Sequence, residues 1–281
     1  MRIASFKYQD KASYGIVDDG HVRPVTSDCL NKYPDLKGAL AADACSHLTV
    51  GEPLSLDRVE FLPVISSPGK IICVGMNYLE HIREMGREPP AYPTLFTRFA
   101  DTLVGHQQAL VRPRLSSNFD YEGELGVVIG HPARHAKAAS ALQYIAGYTC
   151  FMDGSIRDYQ RQTSQFTAGK NFRHSGACGP WLVTSDEIPD PNQLTIETRL
   201  NGQTMQTGRI DDLCFGIGAL IEYLSGICQL EPGDIIATGT PGGVGFARDP
   251  QVWLQPGDTL EIDISQIGVL KNKVTDEHAR P

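Results

Sequence analysis

Asp120-Tyr121-Glu122-Gly123-Glu124-Leu125-Gly126-Val127-Val128-Ile129 is the stretch on which the reading of this chain turns. Leu125 to Ile129 is rich in β-branched residues and is closed by Gly130, which predicts a strand. Carried back to Glu122, that strand sets the Glu122 and Glu124 carboxylates on one face, because strand side chains alternate with period two. Two like charges side by side repel. A hard divalent cation such as Mg²⁺, Mn²⁺ or Ca²⁺ would give the pair a purpose, since these ions prefer carboxylate oxygen. A half-exposed strand carrying two solvated acids accounts for the same residues.

Working outward, Tyr144 to Met152 reads as a buried strand ending at Asp153. If a helix begins near Asp153, then Asp153, Arg157 and Gln160 share one face. They would hold a metal and an anionic ligand together, or form an ordinary N-cap with an i,i+4 partner. Leu95 to Phe99 is a further strand, with Arg98 between aromatics, and Lys170 follows Gly169 in a polar loop. His81 and Glu84 lie at i and i+3 of a polar helix ahead of a Pro-rich loop. That pattern fits a lid, and equally an exposed surface pair. Ala237 to Gly245 is a glycine-rich loop that lets backbone approach a ligand closely. It lacks the spacing of a P-loop or a dinucleotide fingerprint, which excludes ATP and NAD on these grounds.

The chain has 281 residues, with 25 Lys plus Arg against 33 Asp plus Glu, for a net charge of -8. No basic block stands out, so nucleic acid is not an expected partner. No apolar run approaches a membrane span, and no signal-peptide core opens the sequence. Seven scattered cysteines without a C-x-x-C predict reduced, mostly buried thiols in a cytoplasmic protein. Short strands over Arg2–Tyr8, Ser13–Val17 and Val22–Val25 precede a helical stretch, Thr26 to Leu48, broken at Pro34. Asp211 or Asp212 is expected to cap a helix running to about Ile227. Asn201-Gly202 predicts a tight hairpin.

Taken in order, KIICVGMNYLEHIRE (70–84), DYEGELGVVIG (120–130), GYTCFMDGSIRDYQ (147–160), Gly169-Lys170, GPWLVTSDEI (179–188), LEPGDIIATGTPGGVG (230–245) and LQPGDTLEIDISQIG (254–268) resemble the fumarylacetoacetate hydrolase family. The resemblance implies an α+β, mainly β fold: a mixed β-sandwich roll over 67–281, with a small N-terminal α/β module over 1–66. It implies a homodimer that holds Mg²⁺, or alternatively Mn²⁺ or Ca²⁺, on Glu122, Glu124 and Asp153. His81, Glu84 and Lys170 match the family's catalytic residues. Arg157, Gln160 and Thr240 match substrate contacts, and Arg98 takes a substrate-side position where many relatives have lysine. The expected substrate is a small 2-oxo acid. The reaction implied first is hydrolysis of the C–C bond of an acylpyruvate such as fumarylpyruvate. Decarboxylation or isomerisation of a 2-oxo acid uses the same residues, oxaloacetate and an unsaturated 2-hydroxy diacid being the leading cases.

Overall fold

The computed structural model describes residues 1–79, 82 and 88–278. Among them the chain is mostly β and forms two packed sheets plus a two-stranded ribbon. The larger sheet has twelve strands. Its main path runs Leu54–Ser55, His21–Pro24, Lys11–Asp18, Arg2–Tyr8, Gly176–Thr184, Ile145–Met152, Gly123–Ile129, Ile235–Ala237, Ile71–Gly75 and Thr94–Thr97. Most neighbours are antiparallel, but Ile235–Ala237 lies parallel to Ile71–Gly75, so the sheet is mixed. The second sheet orders Gln203–Arg209, Thr195–Leu200, Thr259–Ile264, Gly268–Asp276 and Leu110–Arg112. The N-terminal strands do not form a sheet of their own: Arg2 and Ile3 pair with Val183 and Leu182 and so extend the large sheet.

The strand Gly123–Ile129 is buried along its whole length, which removes the half-exposed alternative. Its alternation sorts the core. Leu125, Val127 and Ile129 enter the cluster between the two sheets, together with Tyr148, Cys150, Ile196 and Ile262. Val128 faces the other way, with Phe151, Cys73 and Phe96, beneath the helices Ser27–Lys32 and Leu36–Ala41. Those helices are two because Pro34 interrupts them; Thr26 caps the first and Asp35 the second. Glu124 carries the parity of Val128, so its carboxylate points away from the second sheet.

The residue between the two glutamates is fixed by that second sheet. A Cβ on Gly123 would lie 2.2 Å from Thr198 Oγ1 and 3.4 Å from Ile262. Only a glycine lets the small sheet approach this closely.

One expected helix start moved. No helix starts at Asp211 or Asp212; residues Ile210–Asp212 make a single 3₁₀ turn, and the helix spans Ile217–Ile227 after Gly216. The intervening amides are taken by Asn77, whose carbonyl accepts from Cys214 and whose Oδ1 accepts from Phe215. The Asn201-Gly202 hairpin forms as expected, both residues having positive φ. All seven cysteines are free. No helix among the described residues is long and apolar enough to cross a membrane.

Gly123→Ala is expected to destabilise the fold by about 1–3 kcal/mol, the usual cost of overpacking. Thr198 Oγ1 is buried with no hydrogen-bond partner among the described residues, so Thr198→Ala removes the obstacle without orphaning a group. Thermal unfolding of both single variants and the double variant checks this: the double should recover part of the loss.

Candidate metal centre

Two strand ends place the three carboxylates. Glu122 immediately precedes Gly123–Ile129, Glu124 is its second residue, and Asp153 follows Ile145–Met152 on the neighbouring strand. The register sets Glu124 opposite Phe151, two residues before Asp153. Oxygens from Glu122, Glu124 and Asp153 all lie within 4.8 Å of one another, and all three residues are buried.

Around them stand three buried cations. Lys170 Nζ donates to Glu122 Oε2 at 2.5 Å and to Asp153 Oδ2 at 2.6 Å, and lies 4.9 Å from the centre of the Phe96 ring. Arg157 donates through Nη2 to Glu122 Oε1 at 2.6 Å and through Nε to Asp120 Oδ2 at 2.8 Å. Its Nη1 donates to Gln160 Oε1 at 2.9 Å. Arg98 Nη1 donates to Asp153 Oδ1 at 2.7 Å.

The expected geometry of Asp153, Arg157 and Gln160 is corrected here. The helix runs Arg157–Gln160, because Ser155–Ile156 is held extended against Phe119–Asp120. Arg157 therefore pairs with Asp120 and Glu122, leaving Asp153 to Arg98 and Lys170. Arg98 is also corrected. Its guanidinium is wholly buried and spends its donors on Thr102, Asp153, Gly154 and Ser175, so it braces Asp153 and is not among the residues that line the cleft beside the acids. His81 and Glu84 lie outside the described residues, as do residues 83–87 of the expected lid.

Sequence reasoning missed three groups. Asp120 accepts from the amides of Tyr121, Gly245 and Phe246 as well as from Arg157, tying the glycine-rich loop to the acid cluster. Gln206, on the second sheet, accepts from the Gly123 amide and donates to Thr240 Oγ1 at 2.8 Å and to the Pro241 carbonyl. Thr240 in turn donates to the Gly123 carbonyl. The Gly239 amide donates to Glu124 Oε2 at 2.8 Å, from a backbone at φ +105 that favours glycine. The last was half legible in the glycine-rich loop; the first two depend on partners distant in sequence.

The electrostatics separate the carboxylates. Burial pushes Glu122 up, but Arg157 and Lys170 outweigh it and bring its carboxyl down to about 2. Among the described residues Glu124 has no cation in hydrogen-bonding contact; burial first, then Asp153 and Glu122, push it well above the usual carboxylate range. Burial works against the charge on Lys170, but Asp153 and Glu122 raise it, so the ammonium stays protonated. Counted as ionised, Asp120, Glu122, Glu124 and Asp153 against Arg98, Arg157 and Lys170 leave one negative charge in excess. The all-oxygen donor set, with a Glu124 carboxyl that no described cation holds, fits a divalent cation of the Mg²⁺ or Mn²⁺ kind. The three acids open onto a cleft of about 400 Å³, which Phe96, Gln160, Lys170 and Thr240 also line.

Residues 70–275 match the family described as fumarylacetoacetate (FAA) hydrolase C-terminal, and residues 1–63 match one described as Rv2993c-like, N-terminal. An oxaloacetate tautomerase of Homo sapiens, described as mitochondrial, is 41% identical over 223 residues, which is 79% of this chain and 71% of that protein. A solved fumarylacetoacetate hydrolase from Exiguobacterium antarcticum superposes with a TM-score of 0.87 at 32% identity, over 99% of this chain and 100% of the other. A 5-carboxymethyl-2-hydroxymuconate delta-isomerase from Mycobacterium smegmatis does so at 0.81 and 30%, with the same coverage. With three quarters of its length matched and its acid cluster assembled, the chain belongs to the fumarylacetoacetate hydrolase family.

Proposed function

We propose that this protein is a divalent-metal-dependent enzyme that moves a proton within a 2-oxo acid, interconverting keto and enol forms or isomerising a conjugated relative. The observation that carries the reading is Lys170: a buried, protonated ammonium held at 2.5–2.6 Å on two of the three clustered carboxylates and lining the cleft. A cation so placed stabilises negative charge developing on the 2-oxo oxygen, which is the charge that keto–enol exchange creates. The likeness to an oxaloacetate tautomerase and to a muconate isomerase supports proton transfer over bond cleavage.

Glu122, Glu124 and Asp153 would hold the cation, which when bound polarises the 2-oxo group and its carboxylate. Gln160 and Thr240 would fix the substrate's remaining oxygens, on a frame that Arg157 and Gln206 keep rigid. His81, oriented by Glu84, would carry the proton at carbon. Hydrolysis of an acylpyruvate stays as a second reading, favoured by the likeness to the Exiguobacterium hydrolase; there His81 would instead take a proton from water.

Incubating the Mg²⁺-loaded protein with enol-oxaloacetate separates the two. Accelerated decay of the enol absorbance without pyruvate release is expected; faster release of pyruvate from an acylpyruvate would move the assignment to hydrolysis. His81→Ala is expected to lower the proton-transfer rate by about 10²–10⁴ while leaving Mn²⁺ affinity unchanged. A wild-type rate in that variant would remove His81 from the mechanism.

Metal binding should depend on pH with a definite sign. The raised carboxyl of Glu124 keeps its proton above the ordinary carboxylate value of about 4, so a metal must displace it. Affinity therefore falls as pH is lowered. In the metal-free protein the same raised value favours the protonated fold and removes stability as pH rises. The gain in Tm on adding Mg²⁺ should accordingly grow from acidic to alkaline pH, as a melting series at several pH values will show. A gain that shrinks with pH would contradict the assignment of Glu124.

A further inference from the structure

We propose that Arg161 is the specificity-determining residue for the far end of the substrate, holding a second carboxylate and so selecting 2-oxo dicarboxylates over 2-oxo monocarboxylates. The inference rests on the proton-transfer reading of the cleft and extends it.

Arg157, Arg161 and Lys170 are the cations among the described residues that line the cleft. Two are committed. Lys170 is bound to Glu122 and Asp153, and Arg157 to Asp120 and Glu122. Arg161 is exposed, and among the described residues its side chain has neither a carboxylate partner nor a hydrogen bond. The guanidinium sits over the ring of Phe246, whose centre lies 3.7 Å from the guanidinium carbon.

That contact is a platform. Phe246 lines the same cleft, and its backbone amide donates to Asp120 Oδ2 at 3.1 Å, the oxygen that Arg157 also holds. Stacking on an aromatic face restrains the long side chain and leaves the edge of the guanidinium, with its forked donors, free for a carboxylate. Arg161 closes the helix Arg157–Gln160, four residues beyond Arg157. Residues so spaced are neighbours about 5–6 Å apart. Arg161 is thus offset from the acid cluster by roughly one helical turn, as suits a second carboxylate a few bonds from the first.

Charge balance points the same way. The four buried carboxylates exceed the three buried cations by one, so a divalent ion leaves the site one positive charge in excess. The carboxylate beside the 2-oxo group neutralises that charge. A second carboxylate would enter a half-enclosed cleft of a protein with net charge -8, and Arg161 is the described lining cation free to meet it.

The test measures binding of oxalate, 2-oxohexanoate and 2-oxoadipate to the Mg²⁺-loaded full chain by calorimetry, in the wild type and in Arg161→Met and Arg161→Lys. Methionine keeps the apolar stem on Phe246 and removes the charge. The wild type is expected to prefer 2-oxoadipate over 2-oxohexanoate by about tenfold, the scale of a charge-assisted hydrogen bond. Arg161→Met should erase that preference and leave oxalate and 2-oxohexanoate unchanged, while Arg161→Lys should keep part of it. Equal wild-type affinity for the mono- and dicarboxylate, or an equal loss of all three ligands in Arg161→Met, overturns the assignment of Arg161 while leaving the metal centre in place. Failure of oxalate to bind at all would instead overturn the reading of the cleft, and this inference with it.

Discussion

Four buried carboxylates, three of them hydrogen-bonded to three buried cations, form the constraint around which this protein is built. Removing charge from water is costly, and a buried ion pair is tolerable only when nearly every lone pair and proton is used. Here the accounting is almost complete. Asp120 is satisfied by Arg157 and three amides, Glu122 by Arg157 and Lys170, and Asp153 by Arg98 and Lys170. Among the described residues Glu124 is met only by a backbone amide. The site is therefore stable as a frame and incomplete as a charge distribution, and that asymmetry suits a divalent cation.

Satisfying so many charges at once requires segments far apart in the chain to arrive with small tolerance, and the sheets supply the precision. Glu124 and Asp153 come from adjacent strands whose pairing is continuous from Gly123 with Met152 to Val128 with Gly147. The second sheet presses on the strand from behind at Gly123, and Gln206 reaches through from it to hold the Gly123 amide and Thr240 together. The glycine between two glutamates is thus a packing requirement of the sandwich as much as a feature of the acid cluster. Core and acid cluster share this residue, which ties the sandwich fold to this arrangement of acids.

Periodic features could be read from the sequence, and features set by distant partners could not. The strand over 123–129, the paired acids, the Asn201-Gly202 hairpin and the Pro34 break follow from local patterning. Asp153 and Lys170 emerged as members of an ordered motif set. The placement of Arg157 came out differently because extended pairing of Ser155–Ile156 with Phe119–Asp120 overrode the helix start suggested by Asp153. The helix near 217 began late for a related reason: Asn77, more than a hundred residues upstream, claims the amides that a capping aspartate would have organised. Arg98 was placed on the substrate side by its position in the family resemblance, and the sequence does not show that Asp153 holds its guanidinium. Asp120, though in the opening stretch, gave no signal, since its role lies in amides from residues 245 and 246.

The division of labour among the cations explains how one frame can serve several reactions. Arg98 and Arg157 are spent on protein carboxylates and define where the acids sit; Lys170 is shared between the acids and the cleft; Arg161 is stacked on Phe246 at the cleft. The first two cannot change without taking from a buried carboxylate one of the cations that hold it, and breaking a buried pair costs about 3–5 kcal/mol. Arg161 carries no such burden, because no described carboxylate depends on it. Substrate preference can therefore drift at Arg161 and the loop carrying Phe246 while the acid cluster stays fixed. On the proposed reading, hydrolysis and proton transfer would differ in where the proton is taken, from water or from carbon, and both would draw on the same buried charge frame.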